Sequence, residues 1–158
     1  MALKPATTPL VISLTQGGAD AFVQGSVLTG LSGRQAYNVR AFTLELPGSQ
    51  LLSVSADSEL QVAITRRSKS AIPLISDSDV LFKWAFVNAL TTSGEVYFPC
   101  VHVYVPDLEV PIVEETLYAQ LDSTTLAMTL ANVIVRMDVE LDTMSDIDRL
   151  NLIARSLS

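Results

Sequence analysis

Eight short runs of β-type residues, each bounded by a turn signal, occupy residues 10 to 141 of this 158-residue chain, and a run of helical period follows them. Strands so short bury their apolar sides only against a second sheet, so the chain is constrained to two antiparallel layers.

In the first run Leu10, Ile12 and Leu14 alternate with Val11 and Ser13, and Gln16-Gly17-Gly18 ends it. The second covers Phe22 to Leu28 and is closed by Gly30 and Gly33. The third, Tyr37 to Leu46, changes its apolar side partway, from Tyr37 and Val39 to Phe42, Leu44 and Leu46, as a bulge or a bend would produce. Beyond the Pro47-Gly48 turn, Leu60, Val62 and Ile64 mark the fourth. Val80, Phe82, Trp84 and Phe86 share one side of the fifth; Ser76-Asp77-Ser78-Asp79 would also cap a helix there, but Val, Phe and Trp favour a pleated surface. Val96 to Val105 is apolar on both sides, so it is either a central strand or one covered by a neighbouring subunit, and Pro99 within it points to an edge or a bulge. Asp107 to Pro111 reads as a loop. Leu117, Ala119 and Leu121 give the seventh run; Val133, Val135, Met137, Val139 and Leu141 give the eighth.

Eight antiparallel strands in a chain of this size match an all-β, eight-stranded jelly-roll sandwich. The chain reads as a single domain, with residues 1–9 as an N-terminal arm and 145–157 as a C-terminal helix. Ser145 is the expected N-cap with Asp148 three residues on, and Ile147, Leu150, Ile153, Ala154 and Leu157 form one stripe. A helix of about three turns is too short to stand alone in water, so it must dock on its own sandwich or on a neighbour.

Hydrophobic residues make up 49% of the chain and charged residues 17%, against about 25% charged in an ordinary soluble domain. Apolar surface beyond a normal core therefore needs cover. No uninterrupted apolar stretch reaches the roughly 18 residues of a membrane helix, and MALKPATTPL lacks the apolar centre of a signal peptide, so neither a membrane nor signal-directed secretion is expected. The single cysteine, Cys100, excludes an internal disulfide. Residues 1–106 hold seven acids and seven bases, so the net charge of −7 arises wholly in residues 107–158, where ten acids face three arginines. An overall basic surface for nucleic acid is thereby disfavoured.

No motif for catalysis stands out. Cys100 and His102 lie on one side of a strand, but two packed side chains explain them better than a nucleophilic pair. One histidine cannot supply the several ligands of a metal-dependent cupin, and no nucleophile elbow, phosphate loop or H-E-x-x-H pair occurs. The expectation is no enzyme and no cofactor. Arg66, Arg67 and Lys69 form the one basic run, a solvated loop or a contact with nucleic acid or an acidic neighbouring subunit. The carboxylates Asp107, Glu109, Glu114 and Glu115, and Asp138, Glu140, Asp142, Asp146 and Asp148, form two clusters without an EF-hand pattern; solvated surface is the plain reading, and Ca²⁺ between subunits the alternative. The segments expected near interfaces are Val96, Phe98, Val101 and Val103, and the helical Ile147, Leu150 and Ile153.

The strings AYNVRAFTLEL at 36–46, EVYFPCVHVYVPD at 95–107, ETLYAQLD at 115–122 and NVIVRMDVEL at 132–141, with their spacing, resemble the single jelly-roll coat proteins of small icosahedral viruses, satellite plant virus coats in size. The resemblance implies a capsid protein of a virion, made in a host cytoplasm, whose partners are copies of itself in a large symmetric homo-oligomer and other virion proteins. Many such coats begin with an Arg/Lys-rich arm that neutralises a genome; here only Lys4 stands there, so any nucleic acid would be packaged without a basic arm. A phage decoration or tail component needs the same kind of sandwich. The alternative of another class is a carbohydrate- or receptor-binding module, with Trp84, Tyr37, Tyr97, Tyr104 and Tyr118 as candidate platforms.

Overall fold

The computed structural model describes residues 6–15, 22–45, 51–54, 58–88, 94–97, 101–123 and 132–157. Along them run β1 (Thr7–Thr15), β2 (Val23–Leu28), β3 (Gln35–Glu45), β4 (Leu51–Val54), β5 (Ser58–Thr65), β6 (Val80–Asn88), β7 (Gly94–Tyr97), β8 (Val101–Tyr104), β9 (Pro111–Ile112), β10 (Thr116–Ser123), β11 (Asn132–Thr143) and α1 (Asp146–Leu157). One sheet has the order β1-β11-β3-β8, with β9 also beside β3, and the other the order β2-β10-β5-β6. Every pairing is antiparallel. With the β4-β7 ribbon and the two-residue β9 set aside, eight strands remain. Numbered along the chain, they read 1-8-3-6 in one sheet and 2-7-4-5 in the other. That interleaving of two Greek keys is the jelly roll, so the strand order itself establishes the expected fold class.

Period-two alternation places one side of β1, β3, β5, β10 and β11 in the core. Leu10, Ile12 and Leu14 of β1, Phe42 and Leu44 of β3, and Val133, Val135, Met137 and Val139 of β11 pack against Leu60, Val62 and Ile64 of β5 and Leu117, Ala119 and Leu121 of β10; all are buried. The change of side within β3 is a bulge. Val39 pairs with Val139 and Ala41 with Asp138, so Arg40 is the extra residue, and Val39 and Phe42 both turn inward. Arg40 faces solvent and pairs with Glu140.

At the β1/β2 side the sheets come unusually close. A Cβ built on Gly25 would stand 2.9 Å from Ile12 Cγ2 and 3.0 Å from Leu14 Cδ2, and its ladder partner on β10 is the small Ala119. Pro9 is tolerated in β1 because β1 is an edge strand, where one side of the backbone has no ladder to support.

Several boundaries differ from the sequence reading. The run Val96 to Val105 divides into β7, which pairs with β4, and β8, which pairs with β3. A segment read as a loop supplies β9, because Val39 N–H donates to Val110 O (3.1 Å) and Asn38 Oδ1 accepts from Val110 N–H (3.1 Å), drawing Pro111 and Ile112 alongside β3. β1 begins at Thr7, inside the stretch read as an arm, since Thr7 to Pro9 continue the ladder with β11. The fifth run is a strand, as its Val, Phe and Trp residues favoured.

Residues 66–79 lie across the outer side of the second sheet. Gln120, fully buried there, donates to Thr65 Oγ1 (2.7 Å) and Gln24 Oε1 (3.1 Å). Gln24 donates to Ser68 Oγ (2.8 Å) and accepts from Lys69 N–H (2.7 Å), while Lys83 Nζ donates to Pro73 O (2.9 Å). These bonds satisfy the Gln120 amide N–H groups that the crossing segment removes from water, while Gln120 Oε1 is buried without a partner among the described residues.

Candidate assembly surface

The expected helix forms with its expected cap. Asp148 N–H donates to Ser145 Oγ (3.2 Å), the Ser145 hydroxyl donates to Asp148 Oδ2 (2.6 Å), and Arg149 N–H bonds Ser145 O (3.1 Å). Polar contacts hold it to the sandwich. Arg34 Nε and Nη2 donate to the two oxygens of Asp146 (3.0 and 2.7 Å), Met144 N–H donates to Arg34 O (2.9 Å), and the Arg149 guanidinium donates to Gly33 O. Gly33 can present that carbonyl because it adopts a φ of 58°. Ile147 and Leu150 of the apolar stripe thus do not anchor α1, being 72% and 66% exposed, whereas Ile153 is half-buried. Under the helix a cleft of about 560 Å³ separates Leu152 and Met144 from Arg66, Ser78 and Pro111.

The second apolar surface lies at the other expected segment. β8 is the last strand of its sheet and pairs only with β3 among the described residues. His102 and Tyr104 oppose the inward-facing Leu44 and Phe42, so Val101 and Val103 stand on the outer side, with Val103 63% exposed. Tyr104 and Val105 are exposed too. Next to this edge a groove of about 530 Å³ runs between β8 and β6, with Ile75 on its lining. Its walls are aromatic: Phe82 stacks on Phe42 (5.0 Å between centroids) and lies 5.9 Å from Tyr104, while Trp84 lies 5.1 Å from His102. Val96 is in β7, opposite Leu52; Phe98 lies outside the described residues.

The basic run is neutralised within the chain. Arg66 Nη1 donates to both oxygens of Glu114 (2.9 and 2.8 Å) and Nη2 to Pro111 O (2.8 Å); the two side chains are 13% and 17% exposed. Lys69 Nζ stands 2.6 Å from Asp79 Oδ2, and Arg67 Nε 3.8 Å from Asp79 Oδ1. Three carboxylates of the second cluster are similarly engaged, Asp138 by Arg136, Glu140 by Arg40 and Asp146 by Arg34. Among the described residues no group of three His, Cys, Asp or Glu side chains converges as metal ligands would. His102 packs on Trp84, and its Nε2 is buried without a hydrogen-bond partner among the described residues; Cys100 lies outside them.

Sequence reasoning missed Leu74, Ile75 and Leu108, all exposed apolar residues. The signal was present for the first two: Ala-Ile-Pro-Leu-Ile at 71–75 is an apolar stretch inside a connection, where polar residues are usual.

No family model matches the chain, and no curated protein matches it significantly. Among solved structures it is similar to a chain of the cowpea mosaic virus top component, the naturally occurring empty particles. The identity is 7%, the TM-score 0.40, and the match covers 91% of this chain and 89% of that one. The class of the protein rests on its own strand order: an antiparallel jelly-roll sandwich with one C-terminal helix.

Proposed function

We propose that this chain is a structural subunit that assembles with copies of itself into a capsid-like shell. The observation that carries the reading is the clustering of exposed apolar residues on two elements, Ile147 and Leu150 on α1 and Val101, Val103 and Tyr104 on β8, outside the buried core. Exposed strand edges and clustered apolar side chains favour association, and identical subunits satisfy them with repeated symmetric contacts. The internal pairing of the bases supports a shell held by apolar contact and geometry rather than by neutralising a nucleic acid. The test is sedimentation velocity and electron microscopy of the purified protein. Closed particles or a discrete large oligomer are expected; a stable monomer at micromolar concentration overturns the reading.

A further inference from the structure

The edge of β8 that has no ladder partner among the described residues fits a second copy of itself. Resting on the self-assembly reading above, we infer that two subunits join by antiparallel pairing of β8 with β8 about a twofold axis centred on Val103.

Three observations point to a copy of the chain as the occupant. The first is pattern. Residues 101–105 read Val-His-Val-Tyr-Val, which is nearly the same in both directions about Val103. An antiparallel pair centred there sets Val103 against Val103, Val101 against Val105 of the second copy, and His102 against Tyr104 of the second copy. Directly opposed β-branched and aromatic pairs are the favourable cross-strand combinations. The second is charge. Two chains of net charge −7 repel, yet residues 96–106 contain no Asp, Glu, Lys or Arg, so contact here opposes no like charges. The third is the position of the edge. Natural edge strands are usually protected by charge, proline or cover; β8 carries no charge and no proline, no described strand pairs along its outer edge, and Val101, Val103 and Tyr104 are exposed.

The pairing also explains the groove. Because His102 and Tyr104 face the inner side of their sheet, a continued sheet carries the same residues of the second copy over the opening beside Phe82 and Trp84. Backbone ladder bonds supply affinity, and the covered aromatic side supplies register, as in strand addition generally. The contact is isologous, so it makes a dimer and leaves α1 free for a different contact.

Sedimentation velocity over a range of concentrations tests this with Val103→Glu, Val101→Lys, Val105→Glu and the Val101→Lys/Val105→Glu pair. Val103→Glu sets two carboxylates face to face at the axis, and each single flanking change sets a charge against valine. Each single variant is expected to raise the concentration of half-assembly at least tenfold, while the paired variant, whose lysine meets the glutamate of the second copy, regains most of the loss. Recovery in the paired variant excludes misfolding as the cause. Wild-type assembly that all three single variants leave unchanged overturns the β8 contact and leaves the self-assembly reading standing; a monomeric wild-type protein overturns both.

Discussion

Gly25 is the position where a single methyl group should reveal how closely the two sheets approach. In Gly25→Ala the new Cβ would lie 2.9 Å from Ile12 Cγ2 and 3.0 Å from Leu14 Cδ2, both inside normal carbon contact. Ile12 is β-branched and stiff, and both side chains are buried in the core, so neither withdraws freely. Overpacking of this kind costs about 1–3 kcal/mol. Against it stands the gain from removing glycine's freedom in a strand, about 0.5–1 kcal/mol. The expected net loss is about 1–2 kcal/mol, which for a domain of this size lowers Tm by about 2–8 °C. Urea titration and calorimetry of the variant measure it. A double-mutant cycle sharpens the test: Leu14→Ala removes one of the two clashing atoms, so Gly25→Ala should cost at least about 0.5 kcal/mol less in that background. A Gly25→Ala protein as stable as the parent, or more so, would refute the close approach of β1 to β2.

Three further outcomes follow from the same structure. Arg66→Met alone leaves the mostly buried Glu114 without its cation and should cost about 3 kcal/mol in urea titration, whereas Arg66→Met with Glu114→Leu should cost clearly less. Ser145→Ala should lower the stability of the first helical turn by about 1 kcal/mol, seen as faster hydrogen exchange at residues 147–150 with the core strands unaffected. Filter binding at about physiological salt should detect no retention of single-stranded RNA tighter than the micromolar range typical of nonspecific contacts, since every described Lys and Arg with a described side chain is already bonded within the chain; tight, salt-sensitive binding would contradict this.

Most of the eight principal strands were legible because every second residue enters the core, Leu10, Ile12 and Leu14 in β1 or Val133, Val135, Met137 and Val139 in β11, which writes a period of two into the sequence. The bulge at Arg40 was legible for the same reason, as a break in that period. What escaped depends on partners distant in the chain. Glu114 neutralises Arg66 from 48 residues away, and nothing local to Arg66-Arg67-Ser68-Lys69 announces it. Likewise Pro111 and Ile112 become β9 through bonds that Val110 makes to Asn38 and Val39. The helix shows the limit most clearly: periodicity placed Ile147, Leu150 and Ile153 on one stripe, but only the Arg34 and Arg149 anchors decide that Ile147 and Leu150 face outward.

The two long sides of the sandwich are built for opposite ends. Beside β1 and β2, Gly25 and Ala119 are small enough to let the sheets close on Ile12 and Leu14. Beside β6 and β8, Phe42, Phe82, Trp84 and Tyr104 stand between the sheets and leave the groove of about 530 Å³ at the margin. Large rings cannot be packed as densely at an open margin as in a core, so this side keeps an apolar groove where β1 and β2 instead close on each other. A soluble monomer would gain from smaller residues here and a charge on β8. That the chain instead places an uncharged, valine-rich edge at its open side, and gathers its excess acids into its last third, is coherent if the open side is where another subunit sits.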